Sequence, residues 1–190
     1  MRHHSSYSHV IGFDDAPFGP DHRGDVPVVG AVFAGTRLEG VLVGRARRDG
    51  ANATAAIAAL VERSRFRRQL QLVLLQGIAL AGFNVVDLEL LHQLLRVPVM
   101  AVVRRRPRLD RVRSALLARV PAGERKWNII ARLAPAEPLC GVYVQRVGIT
   151  PQDAERVLKR LAIHSSIPEP LRTAHLIAGA IATGHSRGRV

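Results

Sequence analysis

Hydrophobic positions in the first fifty residues fall into three short runs separated by turn residues. Val10 to Phe13 is the first, Val28 to Phe33 the second and Leu38 to Val43 the third. A stretch rich in Pro, Gly and Asp, from Pro17 to Pro27, separates the first two, and Gly35 separates the last two. Runs this close in sequence predict an antiparallel meander, closed by Asp49 and Gly50. The period then changes. From Ala51 to Phe66, Ile57, Leu60 and Val61 recur at helical spacing, with Asn52 or Thr54 as the start cap. Arg63, Arg65, Arg67 and Arg68 crowd its end, where cations suit the helix dipole. Leu70 to Leu75 is unbroken apolar sequence, as in a strand buried on both faces. Val85 to Leu95 predicts a helix, Pro98 to Val103 another buried strand, and Asp110 to Val120 a helix. Asn128 to Leu133 and Val142 to Val147 predict two strands, or a strand and an extended segment. Thr150 as N-cap with Pro151 behind it starts a helix reaching Ala162, and Pro170 to Thr183 forms the last helix.

Three antiparallel strands followed by alternating helices and strands predict a mixed α/β sheet. The order matches the ribonuclease H-like architecture, in which the first strand and the end of the fourth lie side by side and their carboxylates share metal ions. Several α/β folds begin the same way. At 190 residues and 47% hydrophobic, the chain has the size and apolar content of one ordinary domain, expected over residues 10–183. Residues 1–9 and 184–190 are polar and are expected to be tails, the first disordered. The His/Ser-rich start lacks the apolar stretch of a signal peptide, and no run is long enough to span a bilayer. The expected location is the cytoplasm, with no membrane partner. Cys140 is the only cysteine, which excludes an internal disulfide and a cysteine-based zinc site.

Charge changes this picture. Lys and Arg number 28 against 15 for Asp and Glu, a formal net charge of +13. The preference for Arg over Lys reflects genome composition as readily as function, but codon bias does not explain the excess of positive charge. That excess favours a polyanion such as nucleic acid. Aromatics at 4% argue against a platform stacking many single-stranded bases. Arginines gather at 45–48, 63–68 and 104–108; Arg104 and Arg105 are candidates for phosphate contact if these runs share a face.

Against this basic background, Asp14 and Asp15 end the first apolar run. Carboxylates kept in a basic chain suit a hard divalent cation held beside a polyanion; the alternative is an Asp closing a turn. Asp49 is either another carboxylate at the sheet's end or a turn residue before Gly50. Asp87 either faces the same cleft or caps the following helix. Glu169 either joins a metal site or favours the N-terminus of the last helix. Arg172 and His175 follow it by three and six residues, on roughly one face, where they meet a phosphate or are simply packed. Gly77, Gly82, Phe83 and Asn84 form a strand-to-helix loop of the kind that lines ligand clefts. Phe83 either wedges against a displaced base or packs the loop.

Four stretches carry a family resemblance: Ile-Gly-Phe-Asp-Asp-Ala-Pro-Phe at 11–18; Leu-Glu-Gly-Val-Leu at 38–42 with Asp-Gly-Ala-Asn-Ala-Thr at 49–54; Gly-Ile-Ala-Leu-Ala-Gly-Phe-Asn-Val-Val-Asp at 77–87; and Pro-Glu-Pro-Leu-Arg-Thr-Ala-His-Leu-Ile-Ala at 168–178. Together, over residues 10 to about 180, the chain resembles the DUF99 family, also called UPF0215 or endonuclease dU, which is related to endonuclease V. The resemblance implies a ribonuclease H-like fold and a Mg²⁺- or Mn²⁺-dependent endonuclease acting on DNA, or RNA, that contains deaminated bases such as deoxyuridine. It implies metal ligation by Asp14 and Asp15, with Asp49 and Asp87 as further ligands, and catalytic roles for Asp14, Asp15, Glu169 and His175. Gly77, Gly82, Phe83, Asn84, Arg104, Arg105 and Arg172 become the nucleic-acid contacts. The chain departs from the implied acidic pattern at Asn52 and Gln76, where amides offer a carbonyl oxygen without negative charge. That departure keeps a second reading open, a catalytically impaired nucleic-acid-binding protein of the same fold. A third is a dimeric interaction protein whose charge follows genome composition.

Overall fold

The structure, a computed structural model, describes residues 7–186. In chain order the elements are β1 (His9–Asp15), β2 (Asp25–Ala34), β3 (Arg37–Arg47), α1 (Ala53–Glu62), β4 (Leu72–Gln76), β5 (Ala79–Leu80), β6 (Asn84–Val85), α2 (Leu88–Leu95), β7 (Val99–Val103), α3 (Leu109–Arg119), α4 (Gly123–Arg132), β8 (Glu137–Leu139), β9 (Val142–Val147), α5 (Pro151–Leu161) and α6 (Glu169–Thr183). Most of the two expected tails lies outside the described residues. Of the first, His9 already opens β1, and Ser8 hydrogen-bonds Gln71.

Seven strands form one sheet in the order β3-β2-β1-β4-β7-β9-β8. The meander is antiparallel, β4 and β7 add in parallel beside β1, and β9 and β8 return antiparallel. The central strands are buried on both faces, which explains their unbroken apolar sequence. The pleat sorts their side chains. Ile11, Phe13, Val73 and Leu75 join the cluster that includes Ile57 of α1 and Leu91 of α2. Val10, Leu72 and Leu74 turn the other way, against Ala154, Val157 and Leu158 of α5. On that second side α6 crosses β1 so closely that a Cβ on Gly12 would lie 2.5 Å from the Pro170 carbonyl carbon. Only glycine there permits the approach.

Two expectations are corrected, and one strand is added. Asn128 to Leu133 is the end of helix α4, not a strand: Lys126 and Ile130, four residues apart, are both buried, and the paired isoleucines mislead. A two-stranded ribbon, β5 with β6, comes before α2, which begins at Leu88 because Asp87 caps it there. Glu137 to Leu139 pairs as β8, a strand with no sequence signal around Pro138. The α3–α4 hairpin rests on its own small cluster, Val85, Leu116 and Ile130, flanked by Phe83 and Trp127. Gly123 starts α4 where a Cβ would sit 2.0 Å from the Leu116 carbonyl oxygen.

Candidate functional site

β1 and β4 are parallel neighbours and finish at the same rim of the sheet. Phe13 pairs with Leu75, so one step further along both strands Asp14 stands beside Gln76. Alternation of side chains turns Asp14 toward the α6 side and Asp15 toward the α1 and α2 side. On the α6 side, His175 holds its Nδ1 2.8 Å from Asp14 Oδ2. The other carboxylate oxygen, Oδ1, accepts the Asp15 backbone N–H at 2.9 Å. Gly12 is what lets α6 lie low enough for this contact.

Asp14 is 5% exposed, and burial raises its carboxyl above the ordinary range, opposed by the hydrogen bond and charge of His175. Asp15 is pushed up to about 6, first by burial and then by the charge of Asp14; backbone N–H groups, including that of Ala81, pull it back. The Gln76 side-chain oxygen is buried without a hydrogen-bond donor among the described residues. Such an atom ordinarily finds a partner. A carboxylate that burial disfavours, at the strand end beside an oxygen with no donor, offers hard oxygen atoms that suit a divalent cation of the Mg²⁺ or Mn²⁺ type.

The other expected acids are engaged elsewhere. Asp49 Oδ1 accepts the Phe83 backbone N–H at 2.8 Å, and Oδ2 lies 3.3 Å from Arg48 Nε. Its backbone, at φ 50°, donates to the Ala81 carbonyl and accepts from Lys126 Nζ at 2.6 Å. Asp49 therefore takes the turn role, pinning the β3–α1 turn to the loop after β5. Gly82 admits that carboxylate, since a Cβ there would meet Asp49 Oδ1 at 2.5 Å. Asp87 caps α2 through Leu90 N–H and ion-pairs with Arg132 at 2.8 Å.

Glu169 is bound by Arg172 and His164, each at 3.0 Å. Six residues turn a helix through about 600°, so His175 lies about 120° around α6 from Glu169 rather than on its face. The two belong to different clusters. Among the described residues no group of three or more His, Cys, Asp or Glu side chains is arranged to hold a metal ion, so the expected many-carboxylate centre does not form.

The loop after β4 is equally committed. Asn84 is fully buried; its amide nitrogen donates to the Arg47 carbonyl and to Asn52 Oδ1, and its oxygen accepts the Ala53 N–H. Asn52 Oδ1 also accepts the Arg47 N–H, so it has two donors already. Phe83 packs against the α3–α4 cluster, and Gly77 closes β4 onto the Val102 carbonyl at positive φ. Arg104 and Arg105 stand exposed just past β7, whose Val102 pairs with Gln76. Two residues escaped sequence reasoning. Gln76 looked only like a missing acid. Lys126, 3% exposed, was visible only as one of two lysines in an arginine-rich chain.

The model of the endonuclease dU family matches residues 6–182. The chain belongs to the endonuclease dU family. A UPF0215 protein of Deinococcus radiodurans is 55% identical over 182 residues, covering 96% of this chain and 93% of that protein. Among solved structures, a protein of unknown function from Archaeoglobus fulgidus superposes with a TM-score of 0.84 at 34% identity, covering 91% of this chain and 97% of that one. An endonuclease V from Bacillus subtilis superposes with a TM-score of 0.63 at 13% identity, covering 96% and 84%. The last likeness is one of fold, and it meets the expectation of a ribonuclease H-like architecture. In this chain the fold brings Asp14, Gln76 and His175 to the shared end of β1 and β4.

Proposed function

We propose that the chain is an endonuclease that uses Mg²⁺ or Mn²⁺ to cut DNA containing deaminated bases such as deoxyuridine, at the rim around Asp14. Family membership supports the reaction class. The observation that carries the site is the donorless, buried Gln76 oxygen at the strand end beside the buried Asp14 carboxylate. Asp14 and Gln76 would hold the cation, with the charge of Asp15 close to Asp14, and the cation, when bound, supplies activation of water and charge stabilisation at the phosphate. His175, 2.8 Å away through Nδ1, orients the Asp14 carboxylate. Arg104 and Arg105, exposed just past β7, would contact the phosphates of a bound strand. RNA with the same lesion is the alternative substrate.

A second reading, nucleic-acid binding without cleavage, is favoured by one specific observation: Asn52 is already spent on Arg47 and Asn84, which leaves Gln76 as a neutral ligand. The experiment is a uracil-bearing duplex incubated with Mn²⁺ and either wild type or Asp14→Asn. Cleavage by the wild type alone supports the first reading. Equal cleavage by both removes Asp14 from the mechanism, and salt-sensitive binding with no nicking by either supports the second.

A further inference from the structure

The positive charge of the chain is not spread evenly. Residues 104–132 hold nine arginines and one lysine against two acids, a net +8 in 29 residues of a chain whose total is +13. Genome composition does not concentrate charge in one segment. All nine arginines are exposed. Arg132 pairs with Asp87, and Arg113 lies 5.8 Å from the centre of the Trp127 ring. The other seven make no ion pair among the described residues. Unpaired arginines this dense repel one another and lower the stability of the segment they occupy.

The position of this segment gives the charge a purpose. It leaves the sheet at the end of β7, whose Val102 pairs with Gln76. It continues as the α3–α4 hairpin, whose buried Lys126 reaches the Asp49 carbonyl at 2.6 Å and whose Arg132 holds Asp87. Pro121, between the helices, lines a cleft of about 400 Å³ together with Arg23, Arg47 and Arg48. The root of the hairpin is thus fastened to the loops around the rim, while its arginines face outward. α3 has one fully buried side chain, Leu116, so packing alone does not account for the rest of its sequence.

We propose that residues 104–132 form a phosphate-binding arm that grips the backbone of duplex DNA beside the cleavage rim. α3, at 11 residues, is about 16 Å long, which spans several phosphates of one strand. This inference rests on the nuclease reading for its ligand, but it is tested by binding rather than by cleavage.

The test compares two variants with equal loss of charge. Arg108→Gln, Arg111→Gln, Arg119→Gln and Arg125→Gln together neutralise the arm. Arg37→Gln, Arg63→Gln, Arg65→Gln and Arg68→Gln neutralise the opposite end of the sheet. Both are checked for folding by thermal melting, and their affinity for a uracil-bearing duplex is measured by fluorescence anisotropy in EDTA from 50 to 200 mM salt. Each lost phosphate contact lowers the slope of log affinity against log salt by about 0.9, so the arm variant is expected to lose up to about 3.6 in slope and the control variant far less. Equal losses in both variants overturn the arm, because charge then acts as a diffuse field. An arm variant that binds like wild type also overturns it. In either case the nuclease reading stands if Asp14→Asn alone abolishes nicking; if wild type nicks nothing but the arm variant still loses its slope, the arm stands and catalysis is the part that failed.

Discussion

Gln76 is the residue whose replacement separates folding from function most sharply. Its side-chain oxygen is buried at the end of β4 without a donor, and such an atom costs about 1–3 kcal/mol of stability. Methionine has a similar length and no branching, and fills the same space without a polar oxygen. Gln76→Met is therefore expected to stabilise the metal-free protein by about 1–2 kcal/mol. For a chain of this size that raises the melting temperature by about 2–4 °C per kcal/mol. The opposite follows with cation present. A ligand that binds only the folded state at 100 times its Kd adds about 2.7 kcal/mol, and a variant lacking the Gln76 oxygen donor forfeits much of that gain. The assay is thermal melting of both proteins in EDTA and across a Mn²⁺ titration. A variant that melts below wild type in EDTA would mean that the oxygen has a partner after all. Equal Mn²⁺-induced shifts in the two proteins would remove Gln76 from the cation site. Either result refutes the reasoning, and a crossover in the order of melting temperatures supports it.

Two further outcomes follow from the same rim. Gly12→Ala places a methyl group 2.5 Å from the Pro170 carbonyl carbon, so α6 must move off β1; a loss of about 1–3 kcal/mol in urea unfolding is expected, with the His175–Asp14 contact broken. Asp15 titrates near 6 in the folded protein against an ordinary 3.8, so the folded state keeps a proton that the unfolded state has lost. The stability of the metal-free protein should therefore be full below about pH 4 and fall by up to about 3 kcal/mol as pH rises through 6; Asp15→Asn should flatten that slope in urea melts run from pH 4 to 8.

The amino-acid order by itself determined the meander, the two buried central strands, the Thr150-capped helix and the last helix, because each is written in local period, cap and turn chemistry. It also singled out Asp14 and His175 as chemistry-bearing residues. It did not reveal that they touch, since 161 residues separate them and the contact depends on Gly12 letting α6 settle on β1. Nor did it distinguish a cation ligand from a structural carboxylate: Asp49 and Asp87 carry the same group as Asp14, and their partners, Phe83 N–H, Arg48, Leu90 N–H and Arg132, come from other parts of the fold. α4 was misread because paired isoleucines look alike in a strand and on a helix until the burial of Lys126 and Ile130 shows which faces inward. Periodicity is a property of neighbours along the chain. Which polar atoms go unsatisfied is a property of neighbours in space, and at Gln76 that difference separates an apparent missing acid from a candidate ligand.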